Sequence, residues 1–435
     1  MAGMFGKIVR TVLMLPVLGF VAIVATSCTQ LGLNYASLET DNKPAAYPPL
    51  EITSAADWTA TTAPDLRSAL ETHIFGPVPT GLPARLISSR VVDPRYKGGR
   101  GQLEEYLIEI GEGAEALRFH LAVAFPTTVE GPVPLVIGQT FSQNDSVMEN
   151  WTLTSPFTGL PGDGEPDSGG AMMGVVKFIF GSYIAKAPTE DYLERGFAFA
   201  NFYAAELVPD RAGPARAVLS RFPQMADGRR PTGAVAAWAA GYFAAMDILD
   251  ADPRIDPSQT AVIGHSRHGK SALLAGAFDP RIEAVISHQS GTGGASLSRD
   301  KPGETVKQIV RGYPHWFDPG YAAYGDDLDA LPVDQHMLIA LIAPRRVLLG
   351  NGRRDVWSDP NGAYRAAEAA SLAWQTLGAP GLVQNGMTDF NPGAGVSYFV
   401  RPGGHGIVRE DIDAFLAFLD AGFNGSTSSY DTAIR

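Results

Sequence analysis

The segment Gly264-His265-Ser266-Arg267-His268-Gly269-Lys270 constrains the fold of this chain more than any other stretch. An apolar run, Thr260 to Ile263, leads into it, and an Ala/Leu-rich helical stretch, Ser271 to Phe278, follows. Strand, sharp turn and helix in that order lift a serine out of the backbone at the end of a sheet, where its hydroxyl faces a pocket. Small residues flank such a serine because the turn leaves no room for side chains on its inner face. A serine hydroxyl is a weak nucleophile by itself, so a chain that uses one this way must also supply a base and an acid.

The pattern around the turn fits an α/β fold. Strand-like segments run over Leu86 to Val92, Leu103 to Ile110, Leu117 to Ala124 and Val133 to Ile137, most of them separated by Gly/Pro turns. Beyond them, short apolar strands at Phe197 to Tyr203, Thr260 to Ile263, Ala284 to Ser287 and Arg346 to Leu349 alternate with helical stretches. The helices are read at Ala234 to Asp250, Asn361 to Leu377 and Asp411 to Leu419, where apolar residues recur at helical spacing. Such alternation implies a mostly parallel central sheet wrapped by helices, with an antiparallel meander at its front edge. Between residues 141 and 187 the rhythm breaks into Gly, Pro, Ser and Thr, and this stretch is read as an insertion near the active site.

In an α/β-hydrolase the acid follows a late strand and the base sits on a loop before the last helix, so the chain order is Ser, acid, His. Strand Arg346 to Leu349 runs into a loop carrying Asp355, the natural acid; Asp359, followed by proline and a helix, reads as a cap. His405 stands among glycines just before the final helix, as a loop histidine that must approach the serine would. The expected set is therefore Ser266 as nucleophile, His405 as base and Asp355 as the group that orients the imidazole. His265, His268 and His288 lie near the elbow and read first as structural residues, with lining of the pocket as the alternative. No HExxH or similar ligand spacing is present, so neither a metal nor a cofactor is expected.

Composition narrows the partners. With 435 residues and a formal net charge of −12, the chain has an acidic field that argues against nucleic acid. Lys7 and Arg10 precede an apolar run, Val12 to Val24, which ends in Ala25-Thr26-Ser27-Cys28. This resembles a bacterial lipoprotein signal, with Cys28 as the lipidated residue; an ordinary secretory signal and a retained anchor helix are the alternatives. The domain reading is a signal over 1–27, a polar tether over 28–47, one catalytic domain over 48–425 and a tail over 426–435. Export to the periplasm or outer membrane, membrane contact only through the lipid, and a monomer are expected. The one cysteine excludes an internal disulfide.

The elbow departs from GxSxG, because His268 occupies the second glycine's place and Gly269 follows. The resulting G-x-S-R-x-G-K resembles the glucuronoyl esterases, particularly the bacterial ones. Ala284 to Gly291, Gly293-Gly294-Ala295, Gly303-Glu304, Tyr313 to Phe317 and Leu331 to Arg345 extend the resemblance, which covers most of residues 70–420. It implies that the backbone N–H of Arg267 helps bind the oxyanion, with its guanidinium adding positive charge. It also implies that Lys270 and Glu304 hold the hydroxyls of a uronic acid ring and that Trp357 packs on the sugar. Many members carry a catalytic glutamate where this chain has Gln289, which leaves the acid role to Asp355 alone. The segment Gln139 to Asn144 also departs from the family pattern.

The resemblance implies a serine esterase that cleaves esters of (4-O-methyl-)glucuronic acid, as found between glucuronoxylan and lignin, through a glucuronoyl-enzyme. An acetylxylan esterase, a uronate methyl esterase or an inactive glycan-binding surface lipoprotein are the rival readings.

Overall fold

The computed structural model describes residues 47–156, 180–222 and 231–424. The signal segment with Cys28, nearly all of the tether, the middle of the insertion and the tail lie outside the described residues.

The described residues form one sheet of strands β1 (Ala84–Arg95), β2 (Gly101–Ile110), β3 (Leu117–Pro126), β4 (Val133–Thr140), β5 (Ala198–Tyr203), β6 (Ile255–His265), β7 (Ala284–His288), β8 (Arg346–Gly352) and β9 (Val396–Arg401). Their order is β1-β2-β3-β5-β4-β6-β7-β8-β9. The front, from β1 through β3 to β5, pairs antiparallel, and every pair from β5 to β9 is parallel. The front meander and the parallel body are thus both as the sequence pattern predicts.

Helices α1 (Ala234–Leu249), α2 (Arg267–Phe278), α3 (Gln335–Ala340), α4 (Pro360–Thr376) and α5 (Arg409–Leu419) cover the sheet. The strand period of two divides the core between its faces. Leu135, Ile137, Val262, Val285, Val347 and Leu349 join Trp238, Leu273 and Trp374 on one face. Val136, Ala261, Ile286 and Leu348 join Phe415 and Phe418 of α5 on the other. The Ala-rich α1 lies close enough to the sheet that a Cβ at Gly241 would run into the Phe202 ring. Such close-packed apolar surface contributes roughly 25 cal/mol for each Å² removed from water.

One boundary shifts in an informative way. The sequence places the helix after the elbow from Ser271, whereas α2 starts at Arg267. Gly269 sits inside its first turn because α2 presses on the end of β7: a Cβ there would stand 3.0 Å from Ser290 Cβ and 3.1 Å from Ser287 Oγ. Because β5 and β6 flank β4 on opposite sides, the winding of the sheet reverses between β4 and β6. A crevice opens at the carboxyl ends of the strands at such a reversal, and Ser266 directly follows β6 there.

Candidate active site

Ser266 has φ 57° and ψ −124°, a left-handed conformation that non-glycine residues avoid. Backbone held this way costs on the order of 1–3 kcal/mol and persists only where the surroundings impose it. Here they do: Ser266 N donates to His288 O on β7 at 2.8 Å, and Gly269 N donates back to Ser266 O at 2.9 Å. A Cβ at Gly264 would collide with the carbonyl of His268. Arg267 opens α2, so its N–H has no acceptor within the helix and is available to a ligand beside Ser266. The side chain of His268 turns away from the turn into the core, its ring 4.3 Å from that of Phe141 and 5.7 Å from Trp238. Burial drives its imidazole well below the ordinary value and keeps it neutral.

Asp355 lies on the loop after β8 and His405 on the loop after β9. His405 Nδ1–H donates to Asp355 Oδ2 at 2.7 Å. Burial alone would raise the Asp355 carboxyl, but the charge and hydrogen bond of His405, with bonds from Ser358, outweigh it and hold the group below its usual range. An ionised Asp355 fixes the neutral imidazole with its proton on Nδ1, which leaves Nε2 as the nitrogen with a lone pair. The His405 ring stands 4.6 Å from that of His265, the residue before Ser266. Asp359 instead caps α4, accepting from Gly362 N at 2.9 Å.

Sequence reasoning missed the scaffold behind this pair. Ser358 N donates to Asp355 Oδ1 at 3.3 Å, and Ser358 Oγ donates to Gln289 O at 3.1 Å. Asp411, on α5, is buried; burial would raise its carboxyl, but His288 and Arg401 hold it down. It accepts from Arg401 Nε at 2.8 Å and faces His288 Nε2 at 3.1 Å. The ionised carboxylate calls for a proton on His288 Nε2, and the other ring nitrogen of His288 lies 2.9 Å from His265 Nδ1. Arg401 also donates to the carbonyls of Pro402 at 2.9 Å and Gly406 at 2.7 Å, on either side of His405. The sequence marked His265 and His288 as near the elbow but did not tie them to Asp411, whose place in the first turn of an amphipathic helix reads as an ordinary helix-start charge.

Lys270, in the first turn of α2, is buried and donates from Nζ to Ser290 O and, at 2.6 Å, to Thr292 O. Desolvation pushes its ammonium down to about 7, against the pull of Glu304. Burial raises the Glu304 carboxyl in turn, opposed by Lys270 and Lys301 and by a hydrogen bond from Trp357. Trp357 itself is half exposed, at 50%. Lys270, Glu304 and Trp357 therefore belong to one electrostatic and hydrogen-bonded group, with Asp355 among the charges felt by Lys270.

Arg267 differs from expectation in one respect. Its guanidinium does not stand free beside the serine but pairs with Asp210, a residue the sequence reading did not single out. Asp210 also accepts from Trp316 Nε1 at 2.6 Å and faces His315 Nε2 at 2.9 Å. Aromatic faces surround the cation, with Trp316 at 5.1 Å, Phe141 at 5.2 Å and Tyr313 at 5.9 Å from Cζ to ring centre. Gln139, in the departing segment, is taken up by structure: it accepts from Ser271 Oγ and donates to Trp238 O at 3.0 Å.

Both described ends of the insertion reach the site. Phe141 packs on His268, and Phe180 meets the His405 ring edge to face at 6.4 Å. Phe180 O accepts from Ile407 N at 2.8 Å. Residues 157–179 lie outside the described residues. An apolar cavity behind the elbow, lined by Phe141, Tyr183, His265, His288 and Phe415, does not include Ser266 among its walls.

The chain is similar to several known proteins. The family model for fungal glucuronyl esterases matches residues 175–378. The carbohydrate esterase MZ0003, from an unknown prokaryotic organism, is 32% identical over 389 residues, covering 86% of this chain and 87% of that protein. A 4-O-methyl-glucuronoyl methylesterase of Schizophyllum commune is 36% identical over 157 residues, 34% of this chain and 40% of the relative. Among solved structures, a promiscuous CE15 esterase from a marine bacterial metagenome superposes with a TM-score of 0.77 at 29% identity, covering 89% of this chain and 99% of that one.

Proposed function

Since this chain belongs to the glucuronoyl esterase family and is a carboxylic ester hydrolase of the α/β-hydrolase type, we propose that it hydrolyses esters of glucuronic acid through Ser266, His405 and Asp355. The single observation that carries the mechanism is the 2.7 Å bond from His405 Nδ1 to the buried Asp355 carboxylate, on the loops beside the strained Ser266 turn. In the acylation step His405 Nε2 takes the proton of Ser266 as Oγ attacks the ester carbonyl. The oxyanion that forms meets the N–H of Arg267 at the positive end of α2. The collapsing intermediate expels the alcohol, which takes the proton from His405. Water, deprotonated by the same nitrogen, then releases the uronic acid from the glucuronoyl-enzyme.

The acyl group is selected, in this reading, by Lys270 and Glu304 on the ring hydroxyls and by Trp357 against the sugar face. The desolvated Lys270 and Glu304 support it, since buried charges that recognition does not use are costly to keep. The natural ester is proposed to join 4-O-methyl-glucuronic acid of xylan to a lignin alcohol. The enzyme is proposed to be exported and held at a membrane face through Cys28. Hydrolysis of benzyl glucuronate, methyl galacturonate and 4-nitrophenyl acetate by the wild type and by Ser266→Ala tests the reading. A preference for the glucuronate that the variant loses is expected. Activity mainly on the acetate overturns the assignment of the acyl group.

A further inference from the structure

Gln289 occupies the position where a carboxylate would lie behind the histidine loop, and its amide does something a carboxylate cannot. Its Nε2–H donates to Gly404 O at 3.1 Å, while its Oε1 accepts from Gly406 N at 2.7 Å. The two partners are the residues immediately before and after His405. One amide plane therefore bonds both flanks of a single residue, as a neighbouring strand's peptide group would. Gln289 is itself held firmly. It is buried, its N donates to Gly350 O on β8 at 2.8 Å, and its carbonyl accepts from Ser358 Oγ. Its φ is 48°, a strained backbone setting for a residue with a Cβ.

The surroundings make room for this contact. Gly352 closes β8 just before the Asp355 loop, and a Cβ there would collide with Gln289 Nε2 and stand 2.6 Å from Gly404 O. The same point is where the acid loop and the base loop cross: Arg354 N donates to Gly403 O at 2.7 Å. His405 lies on a loop in which Gly403 has φ 106° and Gly406 φ 152°, so the loop's own backbone preferences do little to fix the imidazole.

We propose that Gln289 is a positioning residue for His405: its amide clamps the glycine loop so that the Nδ1–Asp355 bond and the aim of Nε2 are set before substrate arrives. The inference rests on the reading of His405 as the base. It differs from an acid role at this position, because a neutral amide contributes geometry and no charge. An ionised carboxylate at 289 would still accept from Gly406 N but would oppose the carbonyl of Gly404.

The test is steady-state kinetics on benzyl glucuronate with the full chain, normalised to active sites titrated by a serine-directed phosphonate. Gln289→Met is expected to lower kcat about ten- to hundredfold, the usual effect of a catalytic group displaced by about 1 Å, with KM within about twofold. Gly352→Ala, which pushes on the same clamp from outside, is expected to lower kcat in the same way. The double variant should be no worse than the weaker single variant, because both act through one contact. Gln289→Glu preserves size and is the second probe should the methionine variant not fold; its kcat relative to wild type should fall as pH rises and the new carboxyl ionises. Wild-type kcat in Gln289→Met, a pH-independent wild-type kcat in Gln289→Glu, or losses that simply add in the double variant overturn the proposal. His405→Ala is measured in parallel: if it retains activity, the reading of the base fails, whatever the Gln289 variants do.

Discussion

The two sides of the Ser266 turn are built on opposite principles. On the His405 side, both buried carboxylates have partners aimed at them: Asp355 receives His405 and Ser358, while Asp411 receives Arg401 and faces His288. Its carboxylates are held in their ionised form although buried. On the acyl side, Lys270 and Glu304 are buried with their charged forms disfavoured, one pushed down and the other up. The first side is finished before substrate arrives; the second is hydrogen-bonded too, Lys270 to the carbonyls of Ser290 and Thr292 and Glu304 to Trp357, yet burial works against its charges. Catalytic geometry tolerates little error, so it is preorganised, whereas in the proposed reading the buried charges of the acyl side gain when a polar ligand adds hydrogen bonds to them.

Substitutions can break that contrast, starting with the largest expected effect. Ser266→Ala should lower kcat by about 10⁶, as loss of a nucleophile does in other serine hydrolases, with a thermal transition near wild type. Asp355→Asn, measured on the same glucuronate ester, should lower kcat by about 10⁴, because the amide no longer fixes the proton on Nδ1. A loss below tenfold would mean that the finished side does not depend on its carboxylate.

The acyl side should respond through binding and pH. Lys270→Met is expected to raise KM by about tenfold or more, the usual cost of a lost hydrogen bond to a charged group. The lysine's folded value, about 7, lies below its unfolded value of 10.5. Between these the unfolded chain binds the extra proton, so the term contributed by Lys270 makes stability rise with pH above 7. The difference in Tm between wild type and Lys270→Met should therefore shift in favour of wild type from pH 7 to pH 9. A difference that stays flat over that range would remove the electrostatic contrast between the two sides.

Trp357→Ala should have the smallest effect. The indole is half exposed and donates to Glu304, so KM should rise a few fold while kcat and Tm stay near wild type. A large fall in kcat would instead move Trp357 to the finished side.

Local sequence made one half of this site legible. The strand–turn–helix pattern marked Ser266, and the late strands followed by Asp355 and a glycine-flanked His405 marked the other two positions, because each is a signal written in consecutive residues. The same holds for the fold, where short continuous apolar runs marked β4, β6, β7 and β8 as buried strands and helical spacing marked α1, α4 and α5. The insertion between residues 141 and 187 was legible as a break in that rhythm, and its described ends do meet the site.

The enclosure of Arg267 by Asp210, Tyr313 and Trp316, the link from Asp411 through His288 to His265 and the grip of Gln289 on the His405 loop were not legible, although Tyr313, Trp316, both histidines and Gln289 were marked individually. Arg267 and Asp210 are brought together from the start of α2 and a loop after β5. Gln289 spans 115 residues to Gly404 and 117 to Gly406. The sequence by itself determined the alternation of strands and helices, the turn that presents Ser266 and the order of the reacting residues, because periodicity and turn chemistry act over a few neighbours. Only the tertiary structure decided which charges are paired, which are left desolvated and what holds His405 in place. Those depend on which loops the parallel sheet delivers to the same end, and no local pattern carries that distance.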